Sequence, residues 1–211
     1  MINTEKELCD IFISYVKELG FNVYPEYQDW DIVIERNGHI VGVEAKLSKN
    51  LHLLTQLLSK DNVHFKVALI PFETFKLKQP VDDWIFIAKR LKILPVMVDK
   101  SVRFHWNVKN LFYYRWHPRK LLKIPDFHYN TPAGVPAPRK VTERNINFVK
   151  LELFALENNN RIKQVDAKRF GFDRVPRWYY TFSWKDSYWY LDPFHRASKD
   201  YPHILKGILG K

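Results

Sequence analysis

Apolar residues recur at helical spacing from the start of the chain. Leu8, Ile11, Phe12, Tyr15, Val16 and Leu19 return every three or four positions, which predicts an amphipathic helix. Thr4 and Glu7 supply an S/T-x-x-E capping box at its start, and Gly20 supplies a stop. The period then shortens. Runs at 21–24, 31–35 and 39–47 read as strands, and Asn37-Gly38 between the last two is the strongest short-range signal for a tight hairpin. Asn50 is placed to cap a second helix with an apolar stripe of Leu53, Leu54, Leu57 and Leu58. Residues 65–70 read as a buried strand ending at Pro71, 84–91 as a helix, and 95–99 and 102–106 as further strand.

Residues 125–144 break this pattern. Pro125, Pro132, Gly134, Pro136 and Pro138, with Arg139 and Lys140 close behind, make a linker composition. The expected organisation is a first domain over 1–124, a linker over 125–144 and a second domain over 145–211. In the second, Ile146, Val149, Leu153 and Leu156 predict a helix ending near Asn158. A short helix follows over 162–170, stopped by Gly171, and a third over 174–180 with Pro176 in its first turn. Residues 179–184 and 188–191 read as a hairpin turning at Lys185-Asp186-Ser187. Three helices and a hairpin are the parts of a winged helix-turn-helix.

Composition adds further constraints. The chain has 211 residues, 46% of them hydrophobic, enough to bury a core in one large domain or two small ones. Cys9 is the single cysteine, so neither an internal disulfide nor a cysteine zinc cluster can form. The eight His residues make no H-x-x-x-H or H-E-x-x-H pair. No basic stretch followed by an apolar run opens the chain, and no run approaches the length of a membrane span. The expectation is a soluble, cytoplasmic protein with no membrane partner.

Charge is divided between the halves. Residues 1–100 hold 13 Lys+Arg against 14 Asp+Glu, whereas the rest hold 21 against 9, a net of +12 within a total of +11. Such a basic half, rich in Tyr and Trp, predicts a polyanion partner. Lysine and arginine neutralise phosphates, and aromatic rings stack on unpaired bases. A helix-turn-helix would put Arg174 and Arg177 at base edges and Lys163, Lys168 and Arg169 on the backbone of DNA. The plainer reading is a solvated basic surface, with Trp178, Tyr180, Trp184, Trp189 and Tyr190 forming the core of a small β-rich domain.

The chemistry concentrates in the first hairpin. Asp31 opens one strand, and Glu44 and Lys46 stand two apart near the end of its partner, a spacing that projects side chains to one face. Two carboxylates suit a hard divalent cation that keeps open positions for water and phosphate. The amine beside them can stabilise charge on phosphate, or orient and deprotonate water where its pKa is depressed. These are the requirements for hydrolysing a phosphodiester. The plainer reading is a cross-strand salt bridge between Lys46 and the two acids.

Asp31, a spacer of twelve residues and then Glu44-Ala45-Lys46 resembles the motif of the PD-(D/E)XK nuclease superfamily. The likeness covers roughly residues 1–100, including the helix, three strands, helix, strand order and the apolar Ile32, Val33 and Ile34 after Asp31. Trp30 stands where the superfamily motif has proline. The resemblance implies a restriction-endonuclease-like α/β fold, a mixed sheet flanked by helices. It implies Asp31 and Glu44 as ligands of Mg²⁺ (with Mn²⁺ substituting) and Lys46 as the catalytic lysine. Glu7 on the first helix would be a third metal or water-orienting residue, and Gln56 on the second a supporting one. Glu7 read alone is a capping acid, and Gln56 an exposed helix residue.

Followed by a small basic winged-helix-like domain, such a nuclease is similar in arrangement to the endonuclease subunit of heteromeric transposons, although that subunit carries glutamine where this chain has Glu44. The implied activity is metal-dependent endonucleolytic cleavage of DNA, with double-strand cutting requiring a homodimer or a partner subunit. The alternative is a DNA-binding or regulatory protein that keeps a nuclease fold without activity.

Overall fold

The structure is a computed structural model and describes residues 2–74, 83–99, 102–104, 113–126, 141–175, 182–192 and 197–210. It divides into two compact units, one holding the described residues up to Ile124 and the other Pro125, Asp126 and those from Val141 onward.

The first unit is a mixed α/β layer structure. Helix α1 (Glu5–Glu18) is followed by strands β1 (Asn22–Pro25), β2 (Ile32–Arg36) and β3 (His39–Ala45) and by helix α2 (Leu51–Ser59). Strand β4 (Phe65–Pro71), helix α3 (Asp83–Arg90) and strands β5 (Ile93–Val98) and β6 (Val102–Phe104) complete it. The six strands form one sheet in sequence order. The β3–β4 and β4–β5 pairs are parallel and the other three antiparallel.

Local signals explain the boundaries. Thr4 caps α1 by accepting the Glu7 N–H at 3.1 Å, and Asn50 caps α2 by accepting the Leu53 N–H at 2.9 Å. Asn37 and Gly38 both take positive φ, 52° and 76°, the two-residue turn that matches strand twist, and they set Arg36 opposite His39.

One face of the sheet carries Ile32, Ile34, Val43, Ala45, Val67, Leu69, Leu94 and Val96, and α1 packs Leu8, Cys9, Phe12 and Val16 against it. Burial of this order makes truncation of a core residue such as Phe12 cost about 3–5 kcal/mol. Alternation sends Val33, Gly42, Glu44, Lys66 and Ala68 to the opposite face.

The second unit holds α4 (Glu143–Glu157), β7 (Arg161–Ile162), α5 (Gln164–Arg169), β8 (Phe182–Lys185), β9 (Tyr188–Leu191), α6 (Ala197–Asp200) and α7 (Pro202–Ile208). Helix α4 starts inside the expected linker, because Thr142 caps it through the Asn145 N–H at 3.1 Å. Asp126 also belongs to this unit and pairs with Lys150 of α4 at 3.1 Å. The stretch 127–140 lies outside the described residues.

The hairpin is present, turning through Asp186 and Ser187 at φ 49° and 66°. Ile162, expected in a helix, instead pairs with Trp189, giving a three-stranded antiparallel sheet in the order β7-β9-β8. Arg174 and Val175 are not helical, and the remainder of the expected third helix, with Arg177 and Trp178, lies outside the described residues. The core of the unit is built on Phe148, Val149, Leu151, Ile162, Phe182 and Leu191, whereas Trp184 is exposed. Glu152 is fully buried and accepts hydrogen bonds from the Ser198 N–H and hydroxyl. Among the described residues no helix is long and apolar enough to cross a membrane.

Candidate active site

Antiparallel pairing sets the geometry. Ile32 is opposite Val43, so the register carries Asp31, one residue earlier, opposite Glu44, and cross-strand neighbours share a face. Asp31 is tied into the strand end by accepting the Ala45 N–H at 2.9 Å. Glu44 is almost fully buried, on a strand whose neighbours are apolar.

Burial pushes the Glu44 carboxyl up to about 7, and the negative charge of Asp31 adds to this, while Lys60 and Lys46 act in the other direction. Two acids whose like charges oppose each other in a poorly solvated place will gain from a cation.

Lys46 follows β3 directly, its N–H bonded to the Leu69 carbonyl at 3.0 Å. Its ammonium reaches both carboxylate oxygens of Glu5, at 3.1 and 3.2 Å. Burial pulls the Lys46 amine down, but the bond to Glu5 and the charges of Glu5, Asp31 and Glu44 outweigh it and hold it above the ordinary lysine value. Lys46 is therefore a fixed cation at neutral pH. It suits charge stabilisation and orientation.

The helix acid at this site is Glu5, while Glu7 serves the cap: it is exposed, and its carboxylate accepts the Asn3 N–H at 3.1 Å. The two residues stand about 200° apart around the helix. Glu5 lies three and four positions before the buried Leu8 and Cys9, and so continues the core-facing stripe to its open end. That spacing is legible in the sequence, where the capping box draws attention to Glu7 instead.

Lys60, at the end of α2, joins the site without any motif to mark it. Its ammonium bonds to a Glu44 carboxylate oxygen and to the Asp29 carbonyl, and stands 4.7 Å from the centroid of the Trp30 ring. Gln56 is half-buried on α2, and its Oε1 is buried with no hydrogen-bond donor among the described residues, so it receives nothing from Lys46 or Lys60.

Among the described residues no three of His, Cys, Asp and Glu gather to hold a metal ion by themselves. Asp31 and Glu44 alone are a donor set that fits Mg²⁺ or Mn²⁺, which bind through one or two carboxylates and complete their shell with water and phosphate oxygens. The set does not fit zinc, which takes three or four protein ligands.

In the second unit Lys163, Lys168, Arg169 and Arg174 are all exposed. Arg161 and Lys163 flank the Tyr188 ring at 4.7 and 5.4 Å. No protein-family model, curated protein or solved structure matches the chain.

Proposed function

We propose that the protein is a metal-dependent endonuclease of DNA, with a PD-(D/E)XK-like first unit and a second unit that positions the nucleic acid. The observation that carries this reading is the convergence of Asp31, bonded to the Ala45 N–H, on the neighbouring Glu44, with the Lys46 cation two residues after Glu44 and held by Glu5. A Mg²⁺ ion on the two carboxylates would supply, when bound, an acidified water and a counter-charge for phosphate. Lys46 neutralises a non-bridging phosphate oxygen and orients the scissile group, and Glu5 fixes the direction of its ammonium. A winged-helix reading of the second unit is supported by the element order α4-β7-α5-β8-β9 with the sheet order β7-β9-β8, and by exposed cations on α5 and the segment after it. Those cations give sequence-independent attraction to phosphate.

Nicking of supercoiled plasmid tests the reading. The wild-type chain cuts with Mg²⁺ or Mn²⁺ and stops with EDTA, while Asp31→Ala and Lys46→Ala retain DNA and do not cut. Undiminished cutting by both variants sinks the assignment. A non-catalytic DNA-binding protein would retain DNA without nicking under any metal condition.

A further inference from the structure

Lys60 is a cation in the place where a cation is needed. Its side chain is 16% exposed and that of Glu44 5%, so their ion pair is largely shielded from water. Lys60 has three anchors: the Glu44 carboxylate, the Asp29 carbonyl and the Trp30 ring. Trp30 is itself fixed, fully buried and donating its indole N–H to Asn62 Oδ1 at 3.0 Å. Two of the anchors do not involve the acid pair. An ammonium that leaves Glu44 therefore keeps a carbonyl and an aromatic face to rest on, and needs no excursion into solvent.

Resting on the reading of Asp31 and Glu44 as a divalent-cation site, we propose that Lys60 is the resident counter-cation of that site: its ammonium competes with the divalent ion for Glu44 and is displaced when the ion binds. The physical reason is charge balance. A buried carboxylate without a partner is strongly unfavourable, and Glu44 has Asp31 as an additional like-charged neighbour. Lys60 relieves this, and a divalent ion bridging both acids relieves it better. An ammonium and a divalent cation on one carboxylate oxygen repel, so an ion that takes the Glu44 oxygen held by Lys60 displaces the ammonium. The consequence is a site that stays paired at low metal concentration and takes up Mg²⁺ less tightly than two carboxylates otherwise would. Lys60 is thus a regulatory and positioning residue, distinct in role from Lys46, whose ammonium is held by Glu5 on α1.

Thermal unfolding and Mn²⁺ binding of the full chain at pH 8 test this, with wild type, Lys60→Met and Asp31→Asn compared in EDTA and in saturating Mn²⁺. Displacement predicts that Lys60→Met lowers the melting temperature in EDTA and that Mn²⁺ closes most of the gap to wild type. It also predicts that Lys60→Met binds Mn²⁺ roughly tenfold tighter, within the usual range for coupled sites. A purely structural Lys60 leaves the same melting deficit with and without Mn²⁺ and an unchanged affinity, and that result overturns the proposal while the acid pair stands as a cation site. If Mn²⁺ stabilises neither wild type nor Lys60→Met, the cation-site reading itself falls. Lys60→Gln, whose amide keeps a donor for the Asp29 carbonyl, takes the place of the methionine variant if the latter does not fold, with the same predictions.

Discussion

The indole of Trp30 lies against Gly42, so close that a Cβ on that glycine would come within 2.5 Å of two ring carbons. Gly42 sits in the middle of β3, two residues before Glu44 and on the same face. The absent side chain is what lets the ring pack there, beneath the Lys60 ammonium at 4.7 Å. Gly42→Ala forces the buried ring or the strand to move. The variant is expected to lose about 1–3 kcal/mol of stability, the range for overpacking a close-packed core, read by urea unfolding. An unchanged midpoint would show that the ring has room to shift.

Glu5 and Glu7 are two residues apart on α1 and differ in what they touch. Glu5→Gln removes the carboxylate that holds Lys46, and plasmid nicking is expected to fall at least about tenfold, as for loss of a charge-assisted bond that orients a reacting group. Glu7→Gln leaves nicking intact and costs up to about 1 kcal/mol of stability at the helix start. The opposite ranking in the nicking assay would return the helix acid's role to Glu7.

The contrast between these acids shows how far local pattern reaches and where it stops. Capping and turn chemistry act over four residues, so Thr4, Asn37-Gly38 and Asn50 announce α1, the β2–β3 hairpin and α2 correctly. The hairpin in turn brings Asp31 to Glu44, because register follows from turn length. A capping box is a strong local pattern and draws attention to Glu7, whereas Glu5 is marked only by its phase relative to Leu8 and Cys9. Lys60 carries no local signal: it reaches Glu44 because α2 returns over the sheet, sixteen residues along the chain. Strand β7 is hidden for a similar reason. Two residues cannot show alternation, and Ile162 becomes a strand residue through its pairing with Trp189.

The exposed cations of the second unit are expected to act additively and through salt. Replacing Lys168 or Arg169 by alanine lowers the affinity of the full chain for duplex DNA by a similar factor for unrelated sequences. It also reduces the slope of log affinity against log salt by about 1 for each phosphate that is no longer neutralised. Salt titrations of binding to two unrelated duplexes read both quantities. Slopes equal to the wild-type value would place the DNA elsewhere.

Lys66 offers a pH test away from the acid pair. It is fully buried in β4, its ammonium has no hydrogen-bond acceptor among the described residues, and it stands 3.4 Å from the centroid of the Trp116 ring. Burial pulls its pKa down to about 8 from 10.5, against a smaller upward pull from Asp61. The unfolded chain therefore binds more protons than the folded one between pH 8 and 10.5, and the Lys66 contribution to stability rises across that window. Lys66→Met keeps the volume without the charge and is expected to be as stable as wild type or more so at pH 7. Its advantage shrinks between pH 8 and 10.5. A stability difference that stays flat over this range would mean that Trp116 fully compensates the buried charge.

Glu44 shifts in the opposite sense. Its folded pKa of about 7 lies above the ordinary 4.5, raised by burial and by Asp31. Between pH 4.5 and 7 the folded protein holds a proton on Glu44 that the unfolded chain has released, so stability from this group falls as pH rises through the window and levels off above it. Glu44→Gln removes the slope, since an amide carries no charge to desolvate. Chemical denaturation from about pH 4 to 8 should show the wild-type curve declining relative to the variant up to about 7. A divalent ion that binds the carboxylate must expel that proton, so Mn²⁺ binding at about pH 6 is expected to release protons into the buffer and to weaken as pH falls below 7. Calorimetry in two buffers of different ionisation enthalpy measures the release, and binding without it would mean that the ion does not use Glu44.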